Sequence, residues 1–153
     1  MKLSEIINGK NIISELKATD RWEVIDEMVG NLVESGVLRE SAREPILDSI
    51  KKREASMSTG IGFGIGIPHA STDLIDEVVG ALGRSTDGIN FEALDNQPVI
   101  LVVLFLVPQG QFQKHLHTLA NIAKRLHNPE FRKLLEDASD EDEMLEIIQQ
   151  SAE

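Results

Sequence analysis

Between Arg53 and His69 the chain places a guanidinium, several hydroxyls, four glycines and an imidazole within seventeen residues, in the order R-E-A-S-M-S-T-G-I-G-F-G-I-G-I-P-H. Glycine recurs at alternate positions, Gly60, Gly62, Gly64 and Gly66. Ordering such a run costs backbone entropy, so it persists where the main chain must approach a neighbour closely or take positive φ. Pro68 fixes its own φ and drives Ile67 into an extended conformation, which predicts His69 at a strand end rather than inside a helix. The pattern therefore describes an imidazole on a stiff, narrow stretch of backbone. A glycine-rich turn beside an incidental histidine has the same composition.

Several chemistries are excluded by spacing. A dinucleotide fingerprint starting at Gly60 or Gly62 needs its third glycine at Ile65 or Ile67, and no Gly-Lys-Ser/Thr follows to make a phosphate loop. The chain has no cysteine, hence no disulfide framework, thiolate metal site or cysteine nucleophile. The four histidines are His69, His115, His117 and His127, and there is no H-E-x-x-H. His115 and His117 look like a chelating pair, but two residues apart on a helix they diverge by roughly 200°. The reading is no metal and no cofactor. On a helical wheel, His115 lies about 60° from the apolar centre of Leu116, Leu119, Ala120, Ile122, Ala123 and Leu126, and His117 about 140° from it. His115 is thus expected at the edge of the buried face, either as a core-edge histidine or within reach of a site, while His117 faces solvent. His127, before Asn128-Pro129, reads as a favourable partner for a helix C-terminus.

An activatable histidine, a second histidine, and no metal or nucleotide loop fit covalent phosphoryl carriage. Neutral imidazole is a good nucleophile near neutral pH, and a hydrogen bond at one nitrogen sets the tautomer of the other. The transferred group carries charge on its peripheral oxygens, so the protein must supply donors. Amides of the glycine run, a guanidinium and a second imidazole would provide them. Ser58 and Thr59 could add hydroxyls, although capping the turn into the glycine run is their ordinary role. Arg53 also has a plain reading, as a solvated arginine ending Lys51-Lys52-Arg53 and balanced by Glu54.

The elements that must position these groups can be read from periodicity. Leu3, Ile6 and Ile7 open the chain, and Asn11–Leu16 predicts a small strand. Asp20 with Glu23 has capping-box spacing and starts an amphipathic helix through Trp22, Val24, Ile25, Met28, Val29, Leu32 and Val33, closed by Gly36. A second helix spans about Ser41–Arg53. Val78–Leu82 reads as a strand, Ser85–Asn90 as a turn and Phe91–Asn96 as a compact connection. Val99–Val107 reads as a strand covered on both faces. Helices follow at Gln113–His127, Pro129–Asp137 and Ser139–Gln150, the last opened by a Ser139–Asp142 pair. The expectation is one α/β domain over residues 1–153 with three layers. Its net charge of −11 disfavours nucleic acid. The longest apolar run is too short to cross a membrane and no signal peptide is evident, so the expected location is cytoplasmic.

The segment from Arg53 to His69, followed by F-E-A-L-D-N-Q-P-V, L-V-P and K-H-L-H-T-L-A-N-I-A-K-R-L, resembles enzyme IIA of the mannitol/fructose class in the bacterial phosphoenolpyruvate-dependent phosphotransferase system. The likeness covers nearly the whole chain and is greatest to the stand-alone nitrogen-regulatory members. It implies a mixed, roughly five-stranded sheet flanked by helices. It implies that His69 accepts a phosphoryl group from an HPr-type carrier, that His115 stabilises that group, and that Arg53 supports it from the rim. It further implies transfer to a IIB subunit for sugar uptake, or a regulatory target protein. The 153 residues contain no IIB or IIC segment, which favours the regulatory reading. Two departures stand out: Phe63 occupies a position that is glutamate in mannitol-type sequences, and Gly66 one that is more usually alanine. Phe63 is expected either to pack or to contact a carrier protein.

Overall fold

A computed structural model describes residues 2–150; Met1 and residues 151–153, the ends of the expected domain span, lie outside the described residues. The elements in chain order are α1 (Leu3–Ile6), β1 (Ile12–Ile13), α2 (Arg21–Glu34), α3 (Arg43–Ser56), β2 (Gly60–Gly62), β3 (Ile65–Gly66), β4 (His69–Thr72), β5 (Val79–Ile89), β6 (Val99–Pro108), α4 (Leu116–Leu126), α5 (Pro129–Asp137) and α6 (Glu141–Gln150). Six strands form one mixed sheet, where about five were expected. β6 is its axis. It pairs antiparallel with β5 on one edge, and on the other edge parallel with β3 and then with β4. β1 lies parallel to β5, and β2 folds back antiparallel on β3.

The unbroken apolar run of β6 follows from its two covered faces. Val102, Leu104 and Leu106 enter a core shared with α2 and α3. Leu101, Val103, Phe105 and Val107 enter the opposite core, with α1, α4, α5 and α6. All seven are fully or almost fully buried, and each such side chain contributes about 1.5–3 kcal/mol relative to exposure. This gives the three layers expected from the mixture of strands and helices.

Several boundaries differ from those read from sequence. The small strand expected at Asn11–Leu16 is only Ile12–Ile13. The turn expected at Ser85–Asn90 is instead a continuation of β5, with a register shift before Ile89 and positive φ at Gly88. Turn-forming residues there serve an irregular strand, because pairing with β6 resumes at Ile89–Val99. The cap of α6 is Asp140, which accepts the Glu143 N–H, and Ser139 bonds the Glu143 side chain. Asp20 caps α2 by accepting the Glu23 N–H, while Glu23 reaches back to Thr19 rather than to Asp20. Gly36 closes α2 at φ +83, as its type demands. One buried cation is structural: Arg84 donates to the Leu135, Glu136 and Ala138 carbonyls, terminating α5 from below.

Candidate functional site

The glycine run forms the β2–β3 hairpin, and two of its glycines show why side chains are excluded. A Cβ at Gly60 would stand 2.6 Å from the Ala93 Cβ, so the connection after β5 presses directly on the hairpin. Gly62 takes φ +100 at the tip, a conformation that L side chains rarely adopt. Phe63 follows at φ +58 and is 67% exposed. Its N–H is held by Asp95, its ring meets His127 edge-on at 5.2 Å, and Arg132 lies 5.5 Å over it. His127 therefore packs against the hairpin tip in addition to sitting at the end of α4.

After β3 the chain breaks at Ile67-Pro68 and resumes along the same edge of β6, so that His69 opens β4 opposite Phe105. The predicted strand-end histidine is thus at the start of a strand. Its ring is mostly covered, with 8% exposure, and lines a cleft of about 330 Å³. The His69 Nδ1 lies 2.8 Å from the Ile67 carbonyl. A carbonyl only accepts, so Nδ1 carries the proton and Nε2 presents its lone pair. Phe112 stacks almost parallel on the ring, with centroids 5.8 Å apart. Burial pushes the His69 pKa below the ordinary imidazole value. The Ile67 carbonyl favours the cation, the Arg53 guanidinium disfavours it and the Glu54 carboxylate favours it, with the net direction downward. The ring is therefore kept neutral and nucleophilic.

Arg53 shares this cleft. It lies in the last turn of α3, where its Nη1 donates to the Met57 carbonyl at 2.8 Å and complements the negative end of the helix. Apart from Ser58 and Thr59, the rest of the rim is apolar: Met57, Ile61, Ile67, Leu94, Leu116, Leu119, Ala120 and Ala123. Leu116, expected on the buried face, is 42% exposed, and Ala120 is also exposed.

His115 does not line the cleft. It ends a 3-10 turn, Gln113–His115, immediately before α4, so the single helix expected over Gln113–His127 starts three residues later. A 3-10 turn advances by about 120° per residue rather than 100°, which shifts the wheel phase of everything before Leu116. His115 is buried at 8% exposure and His117 is exposed. The His115 ring packs edge-on against Phe105, the residue opposite His69, and the backbone N–H of His115 donates to the carbonyl of Phe112, the residue stacked on His69. The structure thus places Arg53 and His69 on one cleft, and His115 behind it against these two aromatic residues. Burial and the neighbouring Lys114 ammonium both lower the pKa of His115.

Several of the expected hydroxyl and amide donors are already engaged. The Gly60 N–H bonds Ser58 Oγ, the Ile67 N–H bonds the Thr59 carbonyl, and Ser58 donates to the Phe91 carbonyl. At these positions the glycine run is packed as a hairpin. Sequence reasoning missed the role of Glu54. Its side chain is fully buried, accepts from both the N–H and the hydroxyl of Thr59, and receives Arg21 at 3.3 Å. Among the described residues no group of three His, Cys, Asp or Glu side chains could hold a metal ion, and no helix is long and apolar enough to cross a membrane.

Comparison with known proteins places this geometry in context. Residues 5–151 match the family described as phosphoenolpyruvate-dependent sugar phosphotransferase system, EIIA 2. The chain is 38% identical over 150 residues to the fructose-specific EIIABC component of Bacillus subtilis; the match covers 98% of this chain and 23% of that protein's length. It is 34% identical to a nitrogen regulatory protein of Klebsiella oxytoca, covering 97% of this chain and 90% of the relative. The crystal structure of the nitrogen regulatory protein IIA-Ntr from Neisseria meningitidis superposes with a TM-score of 0.84 at 26% identity, over 95% of this chain and 98% of that one. By the match over nearly its whole length, the chain belongs to the EIIA type 2 family of the phosphoenolpyruvate-dependent sugar phosphotransferase system.

Proposed function

We propose that the chain is a cytoplasmic histidine phosphocarrier in which His69 accepts a phosphoryl group from an HPr-type carrier protein and passes it on. The observation that carries this reading is the bond from His69 Nδ1 to the Ile67 carbonyl, which leaves Nε2 as the free nucleophile at the mouth of an apolar cleft. In the accepting step a bond forms between Nε2 and phosphorus while the donor's nitrogen–phosphorus bond breaks. The electron pair of that bond returns to the donor imidazole, and no water takes part. The proton stays on His69 Nδ1, donated to the Ile67 carbonyl, which thereby supports the charge that develops on the ring. Arg53 provides the cation at the rim, and His115 is the second imidazole held on the same face of the sheet. The apolar rim suits a carrier that excludes water while the group is in transit.

Incubation with phosphoenolpyruvate, enzyme I and an HPr-type carrier should add one phosphate that is labile in acid and stable in base. His69→Ala should abolish that label while the far-ultraviolet circular dichroism is retained. A label that survives acid, as a serine ester does, overturns the reading. The phosphoryl group's destination separates two roles. Likeness over nearly full length to relatives named as nitrogen regulatory proteins supports a regulatory carrier, whose phosphorylation state selects its partner. Likeness to the EIIA portion of a fructose-specific protein supports transfer to a IIB subunit. Transfer from the phosphorylated chain to candidate IIB acceptors discriminates between them.

A further inference from the structure

We infer that Glu54 is a positioning residue for the phosphoacceptor: anchored by Arg21 and gripping Thr59, its carboxylate fixes the backbone through which Ile67 holds the His69 ring. This rests on His69 being the acceptor, and it assigns a role to a buried charge that the transfer step itself does not use.

The chain of contacts is continuous. Arg21, at the first turn of α2, places Nη1 3.3 Å from Glu54 and Nη2 3.1 Å from Glu92, while its guanidinium lies 4.5 Å over the Trp22 ring. Glu54, in the last turn of α3, accepts the Thr59 N–H at 2.9 Å and the Thr59 hydroxyl through its other oxygen. Thr59 in turn accepts the Ile67 N–H on its own carbonyl at 3.0 Å. On the far side of the same residue, the Ile67 carbonyl receives Nδ1–H of His69 at 2.8 Å. Each link is a hydrogen bond or ion pair, and only Ile67 separates the Thr59 contact from the imidazole contact.

A fully buried carboxylate is costly unless it is paired and hydrogen-bonded, and breaking such a pair is strongly destabilising, so this arrangement is rigid. It ties α2 and α3 to the one residue that leads into the glycine hairpin. Without it, the entry to that hairpin loses its side-chain anchor to α3, and the angle of the Ile67 carbonyl is no longer set. Misplacing a reacting group by about 1 Å can cost roughly 100-fold in rate. The effect is expected in the transfer step rather than in docking, because the Glu54 carboxylate is fully buried and the Thr59 hydroxyl is turned inward to it, away from any carrier.

The test measures the His69 ring nitrogens by long-range nitrogen–proton spectroscopy, with single-turnover phosphorylation alongside. In Glu54→Gln the Nδ1–H signature should give way to a mixture of tautomers. Maximal phosphorylation should fall roughly 10-fold to 100-fold with little change in the carrier concentration giving half-maximal rate. Thr59→Val, which removes only the hydroxyl, should move both readouts in the same direction by less, and Thr59→Ser should restore them. These two variants decide the matter if Glu54→Gln does not fold. Wild-type ring signals and rates in Thr59→Val, or in a folded Glu54→Gln, overturn the inference. The ring signals need no phosphoryl donor, so a wild-type chain that takes no label defeats the phosphocarrier reading while the spectra still decide the positioning role.

Discussion

The two faces of the sheet are built from similar residues and finished differently. Toward α2 and α3, Val24, Ile25, Met28, Val29, Leu32, Ile46 and Ile50 leave no exposed surface. Toward α4, only Thr118, Ile122 and Leu126 of that helix are fully buried, while Leu116 and Ala120 remain exposed and Leu119 and Ala123 are half-covered. The second face holds apolar surface back from the core and arranges it around His69. Hydrophobicity does not separate these roles; geometry does. A helix that sits flush on the sheet makes core, and one that keeps part of its apolar stripe uncovered leaves a cleft.

This contrast can be broken from either side. The largest expected effect on folding is Met28→Ala on the sealed face, which should cost about 2–5 kcal/mol by urea denaturation without altering phosphorylation of the folded chain. Leu116→Ala on the open face should change stability by under about 0.5 kcal/mol yet raise the carrier concentration needed for half-maximal labelling. Next in size, His115→Ala should slow transfer roughly 100-fold, as loss of one charge-stabilising donor does, while His117→Ala stays within about twofold of wild type. Equal effects of the two would remove His115 from the site.

The smallest effect is on pH dependence. Burial lowers the pKa of both His69 and His115 below the ordinary value of 6.5. Below that value the unfolded chain binds protons that the native chain refuses, so stability should decline as pH falls through and beneath 6.5 and be complete above it. Urea midpoints at a series of pH values should show this slope in the wild type and a shallower one in a His69→Gln, His115→Gln variant.

Much of the frame was legible because single residues dictated it. Ile67-Pro68 forces an extended arrival at His69, Gly36 ends α2, and the run from Val99 leaves no polar face, so the strand must be covered on both sides. The far half of β5 was not legible. Its Ser, Asp and Gly residues favour turns in isolation; here Glu15 holds Thr86, and pairing with β6 resumes at Ile89 opposite Val99. Glu54 was hidden for a similar reason. Beside Lys51, Lys52 and Arg53 a carboxylate reads as solvated, and its burial depends on Arg21, 33 residues earlier, and on Thr59. The Gln113–His115 turn shifted the helical phase by an amount that a regular wheel does not contain, although burial of His115 and exposure of His117 came out as that wheel had them.

β3 and β4 run one after the other along a single edge of β6, with the imidazole at the first position of the second segment. That edge is paired with β6 along all four residues of β4, so under the proposed function a group attached there has sheet, not loop, beneath it. On that reading, what changes on loading is an anion set inside a greasy collar, and a partner that tells the loaded form from the empty one reads charge and solvation at that point.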